Sequence, residues 1–135
     1  MSVTSGNERS ASDDVPKVES GEHGPFHSIW LFDVQDDSWY LQASAAVQRL
    51  SRFDGFLEAS LIRSVDEPNE VQILSRWENV GSYRRALSST NAKLHIWPFL
   101  ATVHDQPSVF ETLIAVQPDS TCTYKSSLGQ TPDLS

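Results

Sequence analysis

Phe56-Leu-Glu-Ala-Ser-Leu-Ile-Arg-Ser64 and Glu70-Val-Gln-Ile-Leu-Ser-Arg-Trp77 decide the fold of this chain. Both runs are short and rich in β-branched, aromatic and aliphatic residues. Asp66-Glu-Pro-Asn69 lies between them and supplies turn chemistry, so the two read as strands of one hairpin. Just upstream, Asp54-Gly55 ends a helical pattern, with Gly55 suited to a left-handed C-terminal position. That pattern places Trp39, Tyr40, Ala43, Ala46, Val47, Leu50 and Phe53 on one side of a helix, and Asp36-Asp37-Ser38 provides its N-cap and negative charge.

Working outward, Phe26 to Val34 reads as a strand covered on both faces. Phe26, Trp30, Phe32 and Val34 share one parity, and Ile29 and Leu31 the other. Downstream, Asn79 caps a short helix carrying Val80, Tyr83, Ala86 and Leu87, and Ser88 to Asn91 interrupts it. A second helical piece holds Trp97, Leu100, Ala101 and Val103, with Pro98 in its first turn. After the break at Pro107, Ser108 to Val116 reads as the last strand. The order β-α-β-β-α-β is the ferredoxin-like, split βαβ arrangement: an α+β fold with an antiparallel sheet and helices on one face.

Residues 25–117 form the expected domain. Residues 1–24, rich in Ser, Gly, Asp and Glu, bury too little to offset the entropy of ordering and are expected to be a disordered tail. Residues 118–135 are expected to be a partly disordered C-terminal tail, with Tyr124 and Leu128 able to pin part of it. Both parities of the strands are apolar: Ile29 and Leu31 against Trp30 and Phe32; Leu57, Ala59 and Leu61 against Phe56 and Ile62. Two helices cover only one face. A second copy of the sheet would cover the other, which predicts a homodimer.

The net charge is -8, and the basic residues are scattered with a single Arg84-Arg85 pair, read as a solvated helix face. Nucleic acid is therefore not an expected partner. No apolar run approaches the ~18 residues of a membrane span. Met1 to His23 lacks the basic and apolar regions of a secretory signal. Cys122 is the single cysteine, which rules out an internal disulfide framework. A cytoplasmic protein without membrane contact is the expectation. No His, Cys and carboxylate set has metal-ligand spacing, and there is no Gly-rich phosphate loop, so no metal and no cofactor are predicted.

Two segments resemble the antibiotic biosynthesis monooxygenase family. Asp54-Gly-Phe-Leu57 is similar to the family's Pro-Gly-Phe-Leu strand entry, with Asp54 for Pro. Arg76-Trp77-Glu78-Asn79, followed by Tyr83, is similar to its Trp-Glu-Ser motif and the aromatic of the next helix. The resemblance spans about residues 25–116 and implies a dimeric α/β barrel. It also implies cofactor-independent oxidation of an aromatic or polyketide-type small molecule in secondary metabolism, in which the substrate supplies electrons to oxygen. Trp77 and Tyr83 match two positions used by the quinone-forming branch. Ile73 and Trp97 stand where that branch has Asn and Arg, which implies a more apolar pocket. The haem-degrading branch does not fit, because the first strand has no Asn and Leu87 takes the place of its His.

The candidate catalytic residues are thus Trp77, Tyr83 and His95, the last as a base in the broken helical region. Ile73, Ser75, Trp97, Trp30 and Phe32 are the candidate substrate-binding residues; Ser75 and Ile73 share the parity of Trp77. Arg76 points to the other face, toward Glu58 or Glu111. His27 heads the first strand and His104 ends the last helix, each read as structural. A cyclase or isomerase on the same fold, and a non-catalytic dimeric small-molecule-binding protein, are the alternatives.

Overall fold

The structure, a computed structural model, describes residues 17–19, 23–103 and 108–134. Its elements are β1 (Lys17–Glu19), β2 (Phe26–Asp33), α1 (Trp39–Leu50), β3 (Phe56–Arg63), β4 (Glu70–Trp77), α2 (Val80–Ser88), α3 (Thr90–His95), α4 (Trp97–Leu100), β5 (Ser108–Glu111), β6 (Ile114–Gln117) and β7 (Ser120–Thr123). The main sheet has the order β3-β4-β2-β5 with every pair antiparallel, which is the ferredoxin-like topology. His104 and Pro107 lie outside the described residues.

Strands β2 and β4 bury alternate residues, as the period of a pleated strand requires. Phe26, Ser28, Trp30 and Phe32 of β2 face the helices with Val71, Ile73, Ser75 and Trp77 of β4. Ala43, Ala46 and Leu50 of α1, Tyr83 and Ala86 of α2, and Ile96, Phe99 and Leu100 further on close the core from above. On the other face Ile29, Leu31 and Leu74 are half-buried, while Ile62 and Phe110 keep 43% and 52% of their surface.

Three local devices set this frame. Gly55 adopts φ +86°, and a Cβ there would meet the Ser82 side chain at 2.2 Å, so both conformation and packing demand glycine. Asn79 Oδ1 accepts from the Ser82 N–H at 2.8 Å and caps α2, as its position predicts. Ser89 interrupts the helices and its hydroxyl accepts from the Ala92 N–H, capping α3. The α1 start differs from expectation: Ser38 is the cap residue but makes no side-chain cap bond. Instead Asp36 Oδ1 accepts from the Ser38 N–H at 3.0 Å, tightening the turn before the helix.

Two strand readings are corrected. A bulge between Phe56 and Glu58 breaks strict alternation in β3. Phe56 therefore pairs with Trp77 on the side of Ala59 and Leu61, and Leu57 turns outward. The strand expected over 108–116 is two strands in two sheets. Its pairing with β2 ends at Phe26 opposite Glu111, because the next residue, Pro25, has no N–H to donate. The Pro25 carbonyl instead accepts from both the N–H and the hydroxyl of Thr112, and the chain turns away. Strand β6 then forms a hairpin with β7, inside the stretch expected as a tail, and β1 pairs parallel to β7.

Candidate functional site

The antiparallel register of β2 and β4 puts Ser28 opposite Ser75, Trp30 opposite Ile73 and Phe26 opposite Trp77. Helix α2 lays Tyr83 over this patch. The Tyr83 phenol oxygen accepts from Ser28 Oγ at 2.9 Å and from Trp30 Nε1 at 3.1 Å. Trp77 Nε1 donates to Ser75 Oγ at 2.8 Å. The Trp77 indole meets the Tyr83 ring edge-on at 5.6 Å and the Phe56 ring at 5.4 Å. All five polar members are buried, and among the described residues no buried side-chain nitrogen or oxygen lacks a partner. The cluster is a closed set of hydroxyls and indoles inside an apolar shell, where each hydrogen bond is strong and an unmade one expensive.

A cavity of about 490 Å3 adjoins it, lined by Tyr83, Arg84, Leu87, Ser88, Lys93 and Trp97. Small-molecule sites commonly fall in this range of size. Tyr83 links the two regions: its oxygen is tied to the sheet and its residue walls the cavity. Trp97 Nε1 donates to the Leu87 carbonyl at 2.7 Å, which fixes the indole as a flat wall while leaving 46% of the residue exposed. Arg84 and Lys93 are exposed at the rim.

Trp77, Tyr83, Ser75 and Trp30 thus meet in the cluster, with Ile73 fully buried beside them. Trp97 meets Tyr83 across the cavity. His95 sits at the exposed end of α3 and does not line that cavity. Phe32 packs on Trp39 and Phe99 at 4.9 and 5.1 Å, and lines a separate cavity of about 460 Å3 with Asp33, Glu67 and Glu70 among its walls. The sequence reading missed Ser28, Arg84, Leu87, Ser88 and Lys93. The signal for Ser28 was strand parity with Trp30; for Leu87 it was the i, i+4 spacing from Tyr83 within α2.

On the open face of the sheet Arg76 pairs with Glu58 at 2.9 Å, one of the two acids expected for it. His27 Nε2 lies 2.9 Å from the Thr112 hydroxyl. Burial, with Arg76 nearby, holds its imidazole below the usual histidine range, partly offset by Glu58. Glu111 accepts from the Ser127 N–H and the Ser126 and Ser127 hydroxyls, which hold its carboxyl below the usual range. Among the described residues no group of three or more His, Cys, Asp or Glu could hold a metal ion, and no helix is long and apolar enough to cross a membrane.

Fold and site together define a ferredoxin-like α+β domain with a closed aromatic and hydroxyl cluster beside an apolar cavity between helices. The sequence model of the antibiotic biosynthesis monooxygenase family matches residues 35–96, a span that includes Trp77, Tyr83 and most of the cavity wall. This segment is similar to that family. Solved structures agree on the fold. SnoaB, a cofactor-independent oxygenase from Streptomyces nogalater, in a mutant form, superposes with a TM-score of 0.58 at 19% identity, over 64% of this chain and 90% of that one. A conserved protein from Methanosarcina mazei gives 0.54 at 10% identity, over 64% and 89%. A protein from Mycobacterium tuberculosis gives 0.55 at 13% identity, over 70% and 98%. No curated protein matches the chain.

Proposed function

We propose that this protein is a cofactor-independent monooxygenase-type enzyme of secondary metabolism, acting as a cytoplasmic homodimer on an aromatic or polyketide-type small molecule. The observation that carries the reading is the joining of Trp77 and Tyr83, both matched to the family pattern, in one buried cluster whose tyrosine also walls the cavity. A phenol or anthrone lies with its ring against Trp97 and its reacting carbon toward Tyr83. Loss of a proton leaves a carbanion-like centre. It passes one electron to molecular oxygen, and the two radicals join in a carbon–oxygen bond. Loss of water from the hydroperoxide leaves a carbonyl, so that a methylene and one oxygen molecule become a quinone carbonyl and one water. The protein's part is to exclude bulk water, orient the ring and stabilise the developing negative charge with hydrogen-bond donors.

The homodimer reading is supported by the open sheet face, where Ile29, Leu31, Leu74, Ile62 and Phe110 leave an apolar surface that a second copy would cover. The largely apolar cavity wall also favours a second reading, a cyclase or isomerase that folds a substrate without oxygen. Mixing the protein with anthrone under air, and following quinone absorbance and oxygen uptake, separates them. Acceleration over buffer that is lost in the Trp77→Phe, Tyr83→Phe double variant is expected. Full activity in a folded double variant, or no acceleration at all, removes the oxygenase reading.

A further inference from the structure

We infer that the cavity beside Tyr83 selects planar aromatic acids, holding the ring against Trp97 and Leu87 and the carboxylate between Arg84 and Lys93. The inference rests on reading this cavity as the substrate site and goes further by naming the charge its ligand carries.

The chain holds 18 Asp and Glu against 10 Lys and Arg, so a random surface patch is acidic. The cavity reverses this: two cations and no carboxylate line it. The second cavity, of about 460 Å3, is the natural contrast. Asp33, Glu67 and Glu70 line it and no base does, so it repels the same ligand. Arg76 is paired with Glu58, on the other side of the sheet. Arg84 and Lys93 spend neither charge on such a partner.

The inner wall explains why the anion is aromatic. Leu87 and the Tyr83 and Trp97 rings are the large groups there, and the bond from Trp97 Nε1 to the Leu87 carbonyl uses the one polar atom of that indole. What remains is a flat apolar surface suited to stacking. The Arg84 guanidinium offers a planar fork for a carboxylate, and Lys93 a mobile point charge. An anion approaching a chain of net charge -8 gains attraction only near such a local reversal of sign.

The test is calorimetric binding of 2-anthracenecarboxylate and its neutral amide to the full chain at pH 7. The acid is expected to bind roughly five- to tenfold more tightly, the size two solvent-exposed ion pairs supply, and the difference should shrink at high salt. An Arg84→Gln, Lys93→Gln double variant should bind both compounds equally. Trp97→Ala should weaken both alike. Both rim side chains are exposed, so the double variant keeps the core intact, and circular dichroism checks this. Equal binding of acid and amide, an acid preference that survives in the double variant, or no binding of either compound overturns the inference. Anthrone turnover without acid preference sinks this inference and leaves the oxygenase reading; acid preference without turnover of any substrate does the reverse.

Discussion

Tyr83→Phe removes one oxygen and nothing else. The ring stays, so its edge contact with Trp77 at 5.6 Å is kept. What is lost is the shared acceptor of two buried donors: the Ser28 hydroxyl at 2.9 Å and the Trp30 indole N–H at 3.1 Å, both on residues 1% exposed. A buried donor left without a partner costs about 1–3 kcal/mol. Ser28 can turn its hydroxyl elsewhere, whereas the Trp30 N–H has a fixed direction and is aimed at the Tyr83 oxygen. The expected loss is therefore about 2–4 kcal/mol, against roughly nothing for the same change at an exposed tyrosine. In urea, with a slope of about 1–3 kcal/mol per molar, the midpoint should fall by roughly 1–3 M at fixed protein concentration. Tryptophan fluorescence reads the transition. A cycle with Ser28→Ala adds the sharper measurement: the two changes should couple by about 1 kcal/mol. A loss under about 0.5 kcal/mol, or zero coupling, would refute the claim that this cluster ties α2 to the sheet.

Gly55→Ala forces a left-handed residue and pushes a methyl into Ser82; a loss of about 1–3 kcal/mol is expected in urea unfolding, and Ser82→Gly should restore only the steric part. Lowering the pH should destabilise the fold in two steps. Below 6.5 the unfolded chain takes up a proton at His27 that the folded one resists, and below 4.5 the same holds for Glu111; His27→Gln should abolish the first step and Glu111→Gln the second in pH-dependent melting. Ile62→Asp on the open sheet face should convert a dimer to a monomer in sedimentation equilibrium, and an unchanged dimer would place the interface elsewhere. Ile73→Asn sets an amide opposite Trp30 and should raise anthrone oxidation per folded molecule while lowering stability by about 1–3 kcal/mol; an unchanged rate would show that this position does not limit charge stabilisation.

The strand and helix plan was legible because burial forces a period of two or 3.6 on the sequence, and turn residues mark the ends. Gly55 and Asn79 could be read from residue type alone, since few other residues do their work. The β3 bulge could not, because Phe56 and Leu57 are both large and apolar and residue type does not say which of them faces the core. The break after Glu111 was hidden for a different reason: its cause is Pro25, some 85 residues away in sequence, and only the β2–β5 register brings the missing N–H opposite Thr112. The site was legible in its aromatic half. Trp77, Tyr83 and Trp97 are conspicuous, whereas Ser28 looks like any strand serine until the register sets it under a phenol. Arg84 reads as a solvated helix residue and is one; what sequence does not reveal is that Lys93 shares its cavity rim, because that depends on the turn at Ser89 folding α3 back beside α2.

The two positions at which this chain departs from the quinone-forming pattern, Ile73 and Trp97, bear on where a ligand's charge is met. With Ile73 in the sheet, the donors on that side are the Trp30 and Trp77 indoles and the Ser28 hydroxyl, and these already donate to the Tyr83 and Ser75 oxygens. Diverting one to a ligand exchanges one hydrogen bond for another, so its net gain is about 1 kcal/mol or less. With Trp97 in the cavity wall, that position offers a stacking surface. The unspent charges are Arg84 and Lys93, both at the mouth. Recognition by charge is then a property of the rim and recognition by shape a property of the wall, while the cluster beneath holds Tyr83 at a fixed height between them. This division predicts opposite signatures for the two sets of residues: rim substitutions change salt dependence and leave the melting transition alone, and cluster substitutions do the reverse.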